Sequence, residues 1–555
     1  MLLRLFVCFA LFLLWGCTQP PASPTRPNIV FIMSDDHAYQ ALSAYSDHLI
    51  QTPNIDRIAK MGMRFTNASV TNSICAPSRA TILTGKHSHL NGKVDNHFAF
   101  DPSNVTFPLL LQQSGYQTAM FGKLHFGNNP EGFDEFKILP GQGAYWNPDF
   151  ITKHEGKIQV EGYTTDIITD FTLDWLENDR NEEDPFLLMY LHKAPHRSWY
   201  MAERHYDQFL NQTFPEPSTL FDNYEGRGNA AKEAEMSILH HMGWSGDNKL
   251  FPEVMDEISL NEIGYDKIRT EMTMNRLTPE QKEKYIKAYT PINEEFKISY
   301  HKMSDEDKMR WKYQRYMQDY LGTIQAVDEN VGRVLDYLEA HNLLDNTVIV
   351  YTSDQGFYLG EHGWFDKRFA YNESFKTPLL ISWKDHIRPG SVSDEMVQNL
   401  DFAQTFLDLA GISAPQDMQG ESLVPVLTES GTWNRESVYY HYYEYPAEHM
   451  VNRHYALISK DYKLIHYYFA LDEWELYDRK KDPQELINVY ENPSYKEIRE
   501  NLHLELQDLR IKYKDNDTLS QEYIDRFLED AAQGKVYGLS AARAKEIQEK
   551  RKSTN

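Results

Sequence analysis

The sequence is poor in cysteine, with only Cys8, Cys17 and Cys75 among 555 residues. Two of them lie in the first stretch of the chain, so loss of a leader leaves Cys75 and at most Cys17. No set of disulfides can staple such a chain, which excludes the small disulfide-scaffold class. Positive charge is also scarce. Against 56 Lys and Arg stand 82 Asp and Glu, a formal net charge of −26. That balance argues against nucleic acid as a partner and gives no general attraction for polyanions. Any anionic ligand would have to be drawn in locally, by clustered positive charge. Long apolar runs are missing apart from Leu5 to Trp15, which is shorter than the roughly 20 residues a membrane-spanning helix needs. There is no internal repeat. What remains is a chain 41% hydrophobic and 13% aromatic, able to bury a large core and to form one big domain with a smaller one.

Met1 to Cys17 reads as a secretory leader: Arg4 precedes the apolar run, and polar, Pro-rich Thr18 to Arg26 follows it. Gly16 before Cys17 resembles a bacterial lipoprotein box, with bulky Trp15 as a departure. Cys17 is therefore a candidate lipidation site, the alternative being ordinary signal cleavage nearby. The expectation is an exported protein, a lipoprotein of the bacterial periplasm or outer membrane that meets the membrane only through its lipid.

Past this linker, short apolar runs alternate with amphipathic stretches. Asn28–Met33, Thr118–Phe121, Pro185–His192, Thr347–Thr352 and Pro378–Ser382 read as strands. Helices are expected from Pro53, with Thr52 as N-cap, and over Val105–Gly115, Asp166–Glu177, Met309–His341 and Asp401–Ala410. This alternation predicts an α/β fold, a large, mostly parallel sheet sandwiched by helices. Asp35, Asp36, Lys123, His196 and Asp354 each follow an apolar run, at the strand ends where open α/β sheets place their sites. Further on, Tyr455–Ile458, Tyr462–His466 and Trp474–Tyr477 alternate like antiparallel strands, ahead of a helix over Tyr495–Tyr513. They predict a smaller C-terminal α+β subdomain on a short antiparallel sheet. The organisation expected is a leader at 1–17, a linker at 18–26, a catalytic domain at 27–434, a C-terminal subdomain at 435–528 and a charged tail at 529–555. Residues 221–308 break the pattern and read as an insertion near the cleft.

The most specific stretch is Cys75-Ala76-Pro77-Ser78-Arg79, continuing into Ala80-Thr81-Ile82-Leu83-Thr84-Gly85-Lys86. The bland reading is a Cys at a helix start with Pro in the first turn. A Cys followed by x-Pro-Ser-Arg and then Leu-Thr-Gly is, however, similar to the maturation motif of the type I sulfatases of the alkaline phosphatase superfamily. The resemblance spans about Arg26 to Tyr490. It implies that a formylglycine-generating or anaerobic sulfatase-maturating enzyme oxidises Cys75 to Cα-formylglycine (3-oxoalanine). One hydroxyl of the hydrated aldehyde then attacks sulfur, and the second later expels the sulfate.

Ser34-Asp35-Asp36 and Ser353-Asp354-Gln355-Gly356 supply hard oxygen donors, which suit Ca²⁺ or Mg²⁺ rather than zinc. In the family, matching motifs bind calcium. The resemblance therefore implies Asp35, Asp36, Asp354, Gln355 and the modified Cys75 as metal ligands, with Ca²⁺ favoured over Mg²⁺. Gln355 departs from the commoner Asn but keeps an amide oxygen. Gly122-Lys123-Leu124-His125 resembles the family's Gly-Lys-Trp-His, with Leu for Trp. Ala194-Pro195-His196 resembles its Pro-His element, and Lys367 in Gly363-Trp364-Phe365-Asp366-Lys367 matches its sulfate-contacting Lys. The implied roles are Arg79 orienting the modified Cys75 from one helical turn away, and Lys123 and Lys367 gripping sulfate. His125 would take the second hydroxyl proton, and His196 or Lys367 would protonate the leaving oxygen.

Thr352 to Gly363 looks like the branch acting on sulfated carbohydrates, which includes N-acetylglucosamine-6-sulfatases, iduronate sulfatases and ulvan-type algal polysaccharide sulfatases. The expected activity is hydrolysis of sulfate esters on an ulvan-like or glycosaminoglycan-like glycan. His37, His362 and Arg368 are candidate sugar contacts, with the aromatic pairs Tyr145-Trp146 and Trp199-Tyr200 and the run Tyr439 to Tyr445. Two other readings stay open: a phosphodiester or phosphonate ester hydrolase of the same superfamily, and a non-catalytic surface lipoprotein that binds sulfated glycans.

Overall fold

Five apolar runs fold as β1 (Asn28–Ser34), β2 (Gln117–Lys123), β3 (Phe186–Leu191), β4 (Thr347–Ser353) and β5 (Leu379–Trp383). They belong to a sheet of ten strands in a computed structural model that describes residues 26–264, 266–536 and 538–554. The leader and Cys17 lie outside the described residues. β1 to β4 run parallel in the order β4-β1-β3-β2, whereas β5 pairs antiparallel with β4. The sheet is therefore mixed, with a parallel centre. Its remaining strands are shorter or more polar; Gly156–Gln159 is largely exposed. They lack the buried apolar run that marks a central strand.

Alternation along the central strands splits the core into two layers. Val30, Ile32, Leu188, Tyr190, Ile349 and Tyr351 face one apolar cluster, while Ile29, Phe31, Met33, Leu187, Met189, Val348 and Val350 face the other. Four further helices matter to the site: α1 (Cys75–Thr84), α2 (Asp266–Met274), α3 (Asp305–Ala340) and α4 (Lys496–Lys512). Tyr316, Tyr320, Leu321 and Val327 of α3 cover the first layer; Ala76, Ala80 and Leu83 of α1 cover the second. A reciprocal capping box between Ser304 and Asp307 starts α3.

The helix expected from Pro53 begins later, at Ile55, with Asn54 as N-cap. Its first amides are satisfied from elsewhere: Asp328 of α3 accepts from the backbone amides of Asn54 and Ile55. Thr52 is tied instead to Ser43 and Asp56.

Toward the C-terminus, Ser437–Tyr442, His454–Ser459, Tyr462–Tyr467 and Glu473–Asp478 form a separate antiparallel sheet. Leu502, Leu506 and Leu509 of α4 pack on it. The residues read as a charged tail are not detached. They run through the end of a helix at Asp517–Ala532 and into α5 (Gly538–Thr554), and Ala544 is fully buried with Val94, Phe98 and Tyr443. Among the described residues, no helix is long and apolar enough to cross a membrane.

Candidate active site

Register brings four strand ends level. Met33 pairs with Thr352 on one side and Leu191 on the other, and Leu191 pairs with Gly122. The polar residues that follow are thereby delivered to one edge. Close approach there requires Gly122: at its φ of +113°, a Cβ would lie 1.7 Å from the Leu191 carbonyl oxygen. Four non-glycine residues of the same region also take left-handed backbone conformations, namely Asp36 (66°), His125 (67°), Asp366 (77°) and Arg368 (101°). Such conformations persist only where the surroundings over-determine them, and they gather at functional sites.

Asp35, Asp36 and Asp354 are fully buried, with one oxygen from each mutually within 4.8 Å. Cys75 opens α1, and its Sγ lies 3.3 Å from Asp35 Oδ1. Arg79, one turn along α1, places Nε 2.9 Å and Nη2 2.8 Å from Asp354 Oδ2. Lys123 donates to Asp35 and to Gln142. Lys367 Nζ lies 2.7 Å from each oxygen of Asp36. Gln355 Nε2 donates to Asp36 and lies 3.8 Å from Cys75 Sγ, while its Oε1 is buried without a hydrogen-bond partner.

Crowded carboxylates shift one another. Burial and the neighbouring Asp35 push Asp36 up to about 6, against Lys367. Burial and Asp35 likewise push Asp354 up to about 7, against Arg79. For Asp35, burial is outweighed by Lys123, His196 and Arg79, so its carboxyl is held well below the usual range. Three converging carboxylates and an orphaned amide oxygen fit a hard divalent cation. The Cys75 thiol, by contrast, is pushed up by burial and by Asp35. Unmodified, it is not the thiolate that nucleophilic chemistry needs.

A cavity of about 580 Å³ opens onto Cys75, His196, Lys367 and Arg368. His196 donates from Nδ1 to the Arg197 carbonyl (2.6 Å), which fixes the tautomer, and its Nε2 lies 3.8 Å from Asp36 Oδ2. Burial and Lys123 hold its pKa well below the usual value. His125 is held low by the same two causes, and its buried Nδ1 has no partner. Arg79, Lys123 and His125 stand behind this cavity wall rather than in it.

Two expected sugar contacts do not reach the cavity. His37 is fully buried, bonded to the Tyr351 hydroxyl (2.6 Å) and the Ala41 carbonyl (3.0 Å). His362 is buried between Arg227 and Asp222 and packs on Trp364. Both are core histidines, fully bonded at His37 and held through Nδ1 alone at His362. Of the aromatic candidates, Tyr145 and Tyr200 line the cavity, whereas Trp199 is a core residue packed on Tyr316. Sequence reasoning missed Gln142, Lys193, Arg269, Arg276, Glu444 and Glu448. All six line the cavity, and Arg269 lies in the stretch read as an insertion.

The family model described as Sulfatase matches residues 27–412, and that described as N-sulphoglucosamine sulphohydrolase, C-terminal, matches residues 360–512. An N-acetylglucosamine-6-O-sulfatase of Bacteroides thetaiotaomicron is 49% identical over 519 residues, covering 92% of this chain and 91% of that one. An arylsulfatase of Clostridium perfringens is 27% identical over 515 residues, covering 90% and 98%. A solved structure described as a complex with its substrate D-glucosamine-2-N,6-O-disulfate superposes with a TM-score of 0.84 at 50% identity, covering 89% of this chain and 99% of that one.

Proposed function

The chain belongs to the sulfatase family, a sulfuric ester hydrolase, and from that premise we propose that it removes the 6-O-sulfate of a glucosamine-type sugar from a glycosaminoglycan-like glycan. The observation that carries this reading is the meeting of Asp35, Asp36, Asp354, Lys123 and Lys367 around Cys75, in a chain similar along 92% of its length to an N-acetylglucosamine-6-O-sulfatase.

Asp35, Asp36, Asp354 and Gln355 would hold a calcium ion, which when bound supplies positive charge to polarise the sulfate. Cys75, oxidised to the aldehyde, would supply a gem-diol hydroxyl as nucleophile. Lys123 and Lys367 neutralise the sulfate oxygens as charge develops. Arg79 works through Asp354, keeping that carboxylate aimed at the centre. His196 holds Nε2 toward the cavity, and when charged it gives that proton to the departing sugar oxygen. The negative sulfate beside the ring favours this charged form. His125, neutral in its buried setting, accepts a proton at the Nδ1 that has no partner in the fold. Export and anchoring through Cys17 belong to the same proposal.

The test is peptide mass spectrometry across Cys75, on protein made with a sulfatase-maturating enzyme, followed by assay on 6-O-sulfated N-acetylglucosamine. The modification appears as a loss of about 18 Da, as conversion of a thiol to an aldehyde requires. Modified protein that released no sulfate from the 6-O-sulfated sugar would end the substrate reading. Active protein with Cys75 unmodified would end the formylglycine reading.

A further inference from the structure

The cations that line the cavity are nearly all committed. Arg197 is paired with Asp247 (2.6 Å), Arg276 with Asp149 (2.6 Å), Arg269 with Glu448 (2.5 Å), Lys367 with Asp36 (2.7 Å) and Arg368 with Asp366. Lys193 is different. It is only 4% exposed and lines the same cavity. Yet its ammonium donates no hydrogen bond among the described residues and has no carboxylate within ion-pair distance. Its one close partner is the face of Tyr145, 4.7 Å from the ring centroid. A tyrosine face does not replace the hydration of a buried ammonium.

Its position is also fixed. The His196 amide donates to the Lys193 carbonyl (3.0 Å), the Asp35 amide to the Ala194 carbonyl (3.2 Å) and the Tyr145 hydroxyl to the His196 carbonyl (2.6 Å). One short turn thus carries Lys193 and His196 into the cavity together and is bonded to the loop of the carboxylates. An ammonium carried on a fixed turn, facing the cavity and left without a counter-ion, is what an anion-binding group requires.

We propose that Lys193 is a substrate residue whose ammonium takes an oxyanion of the sulfated sugar, either of the ester being cleaved or of a second anionic substituent such as an N-sulfate. This deepens the proposed function and rests on it for the identity of the sugar.

The test compares the wild-type enzyme, Lys193→Met and Lys193→Arg on three substrates: an aryl sulfate, 6-O-sulfated N-acetylglucosamine and glucosamine-2-N,6-O-disulfate. Met keeps the stem over Tyr145 and removes the charge. A rise of about tenfold or more in KM on the disulfate alone, reversed by Arg, assigns the second substituent. An equal fall of about tenfold or more in kcat/KM on all three, reversed by Arg, assigns the ester. Kinetics within twofold of wild type on every substrate overturn the proposal. So does a loss that follows a fall in Tm and is not restored by Arg. Wild-type enzyme inactive on both sugars defeats the substrate reading instead, and the aryl sulfate then decides the lysine.

Discussion

Arg79 donates from Nε to one oxygen of Asp354 and holds Nη2 2.8 Å from the same oxygen, leaving the other oxygen to take the Asp36 backbone amide at 3.1 Å. Asp354 is thereby fixed from both sides, by the helix that begins with Cys75 and by the loop after β1. An ammonium can supply the charge but not this planar group, which also donates from Nη1 to the Lys123 carbonyl. Arg79→Lys is therefore expected to lower kcat/KM about 100-fold, roughly 2.7 kcal/mol of lost transition-state stabilisation. Steady-state kinetics on an aryl sulfate check it, and a loss under threefold would remove Arg79 from the machinery.

The carboxylate cluster makes a thermal prediction. Asp35, Asp36 and Asp354 repel one another when charged, and a cation that binds them only in the folded state stabilises that state by mass action. Chelator-treated protein should gain Tm on addition of Ca²⁺, by the equivalent of about 2.7 kcal/mol at 100 times Kd. Mg²⁺ should do less, because it demands a stricter octahedral geometry. Asp354→Asn should lose most of the response. A wild-type Tm indifferent to both ions would sink the metal assignment.

The parallel centre of the sheet was legible because β1, β3 and β4 are buried on both faces and so read as unbroken apolar runs. Their polar successors could be picked out for the same reason. The cavity wall was not legible. Arg269 and Arg276 look like two more charges in a polar stretch, and what places them is Glu448 and Asp149, 179 and 127 residues away in sequence. His37 and His362 failed in the opposite direction. Their neighbours in sequence carry the site, but Tyr351 and the Ala41 carbonyl claim the ring nitrogens of His37, Arg227 and Asp222 hold Nδ1 of His362, and no local pattern reveals that. The last helix has helical propensity in sequence but reads as a charged tail, and its small Ala544 is nevertheless buried against residues some 450 positions earlier, Val94 among them.

His196 should show itself through the leaving group. An acid matters when the departing oxygen is a poor leaving group and little when it is already stable as an anion. His196→Gln is expected to lose about 100-fold or more on a sugar 6-sulfate, within the range usual for general acids, and far less on a nitrophenyl sulfate. Equal losses on both substrates would point to positioning rather than to proton transfer.

Acid should destabilise the fold through its buried neutral histidines. His454 donates from Nδ1 to the Asn452 carbonyl (2.8 Å) and accepts at Nε2 from the Ala370 amide (3.1 Å). Burial holds its pKa down to about 3. The unfolded chain takes up that proton near the ordinary histidine value, so it binds more protons than the native state between the two pKa values. Stability from this residue is present above that window and is lost as pH falls through it, at up to about 1.4 kcal/mol per pH unit. Urea midpoints at pH 7, 5.5 and 4.5 should therefore fall more steeply for wild type than for His454→Gln. Parallel slopes would exclude the histidine as a contributor.

The C-terminal helix should govern sugar binding without entering the chemistry. Ser540 of α5 lines the cavity. Three residues on, Arg543 pairs with Glu235 and donates to the Ala447 carbonyl at 3.1 Å. Glu235 and His449 hold each other through the backbone amide of the first (2.8 Å) and the Nδ1 of the second (2.8 Å), and His449 Nε2 reaches Asp366 at 3.1 Å. Asp366 in turn holds Arg368, which lines the cavity. Arg543→Ala cuts this chain at its outer end, leaving Cys75, the carboxylates, Lys123 and Lys367 untouched. The expected result is a KM several-fold higher for the sulfated sugar, with kcat and aryl sulfate turnover close to wild type. A matching loss on the aryl sulfate would mean that the helix supports the whole fold and not the sugar side of the cavity. No change on either substrate would mean that α5 is only a cover.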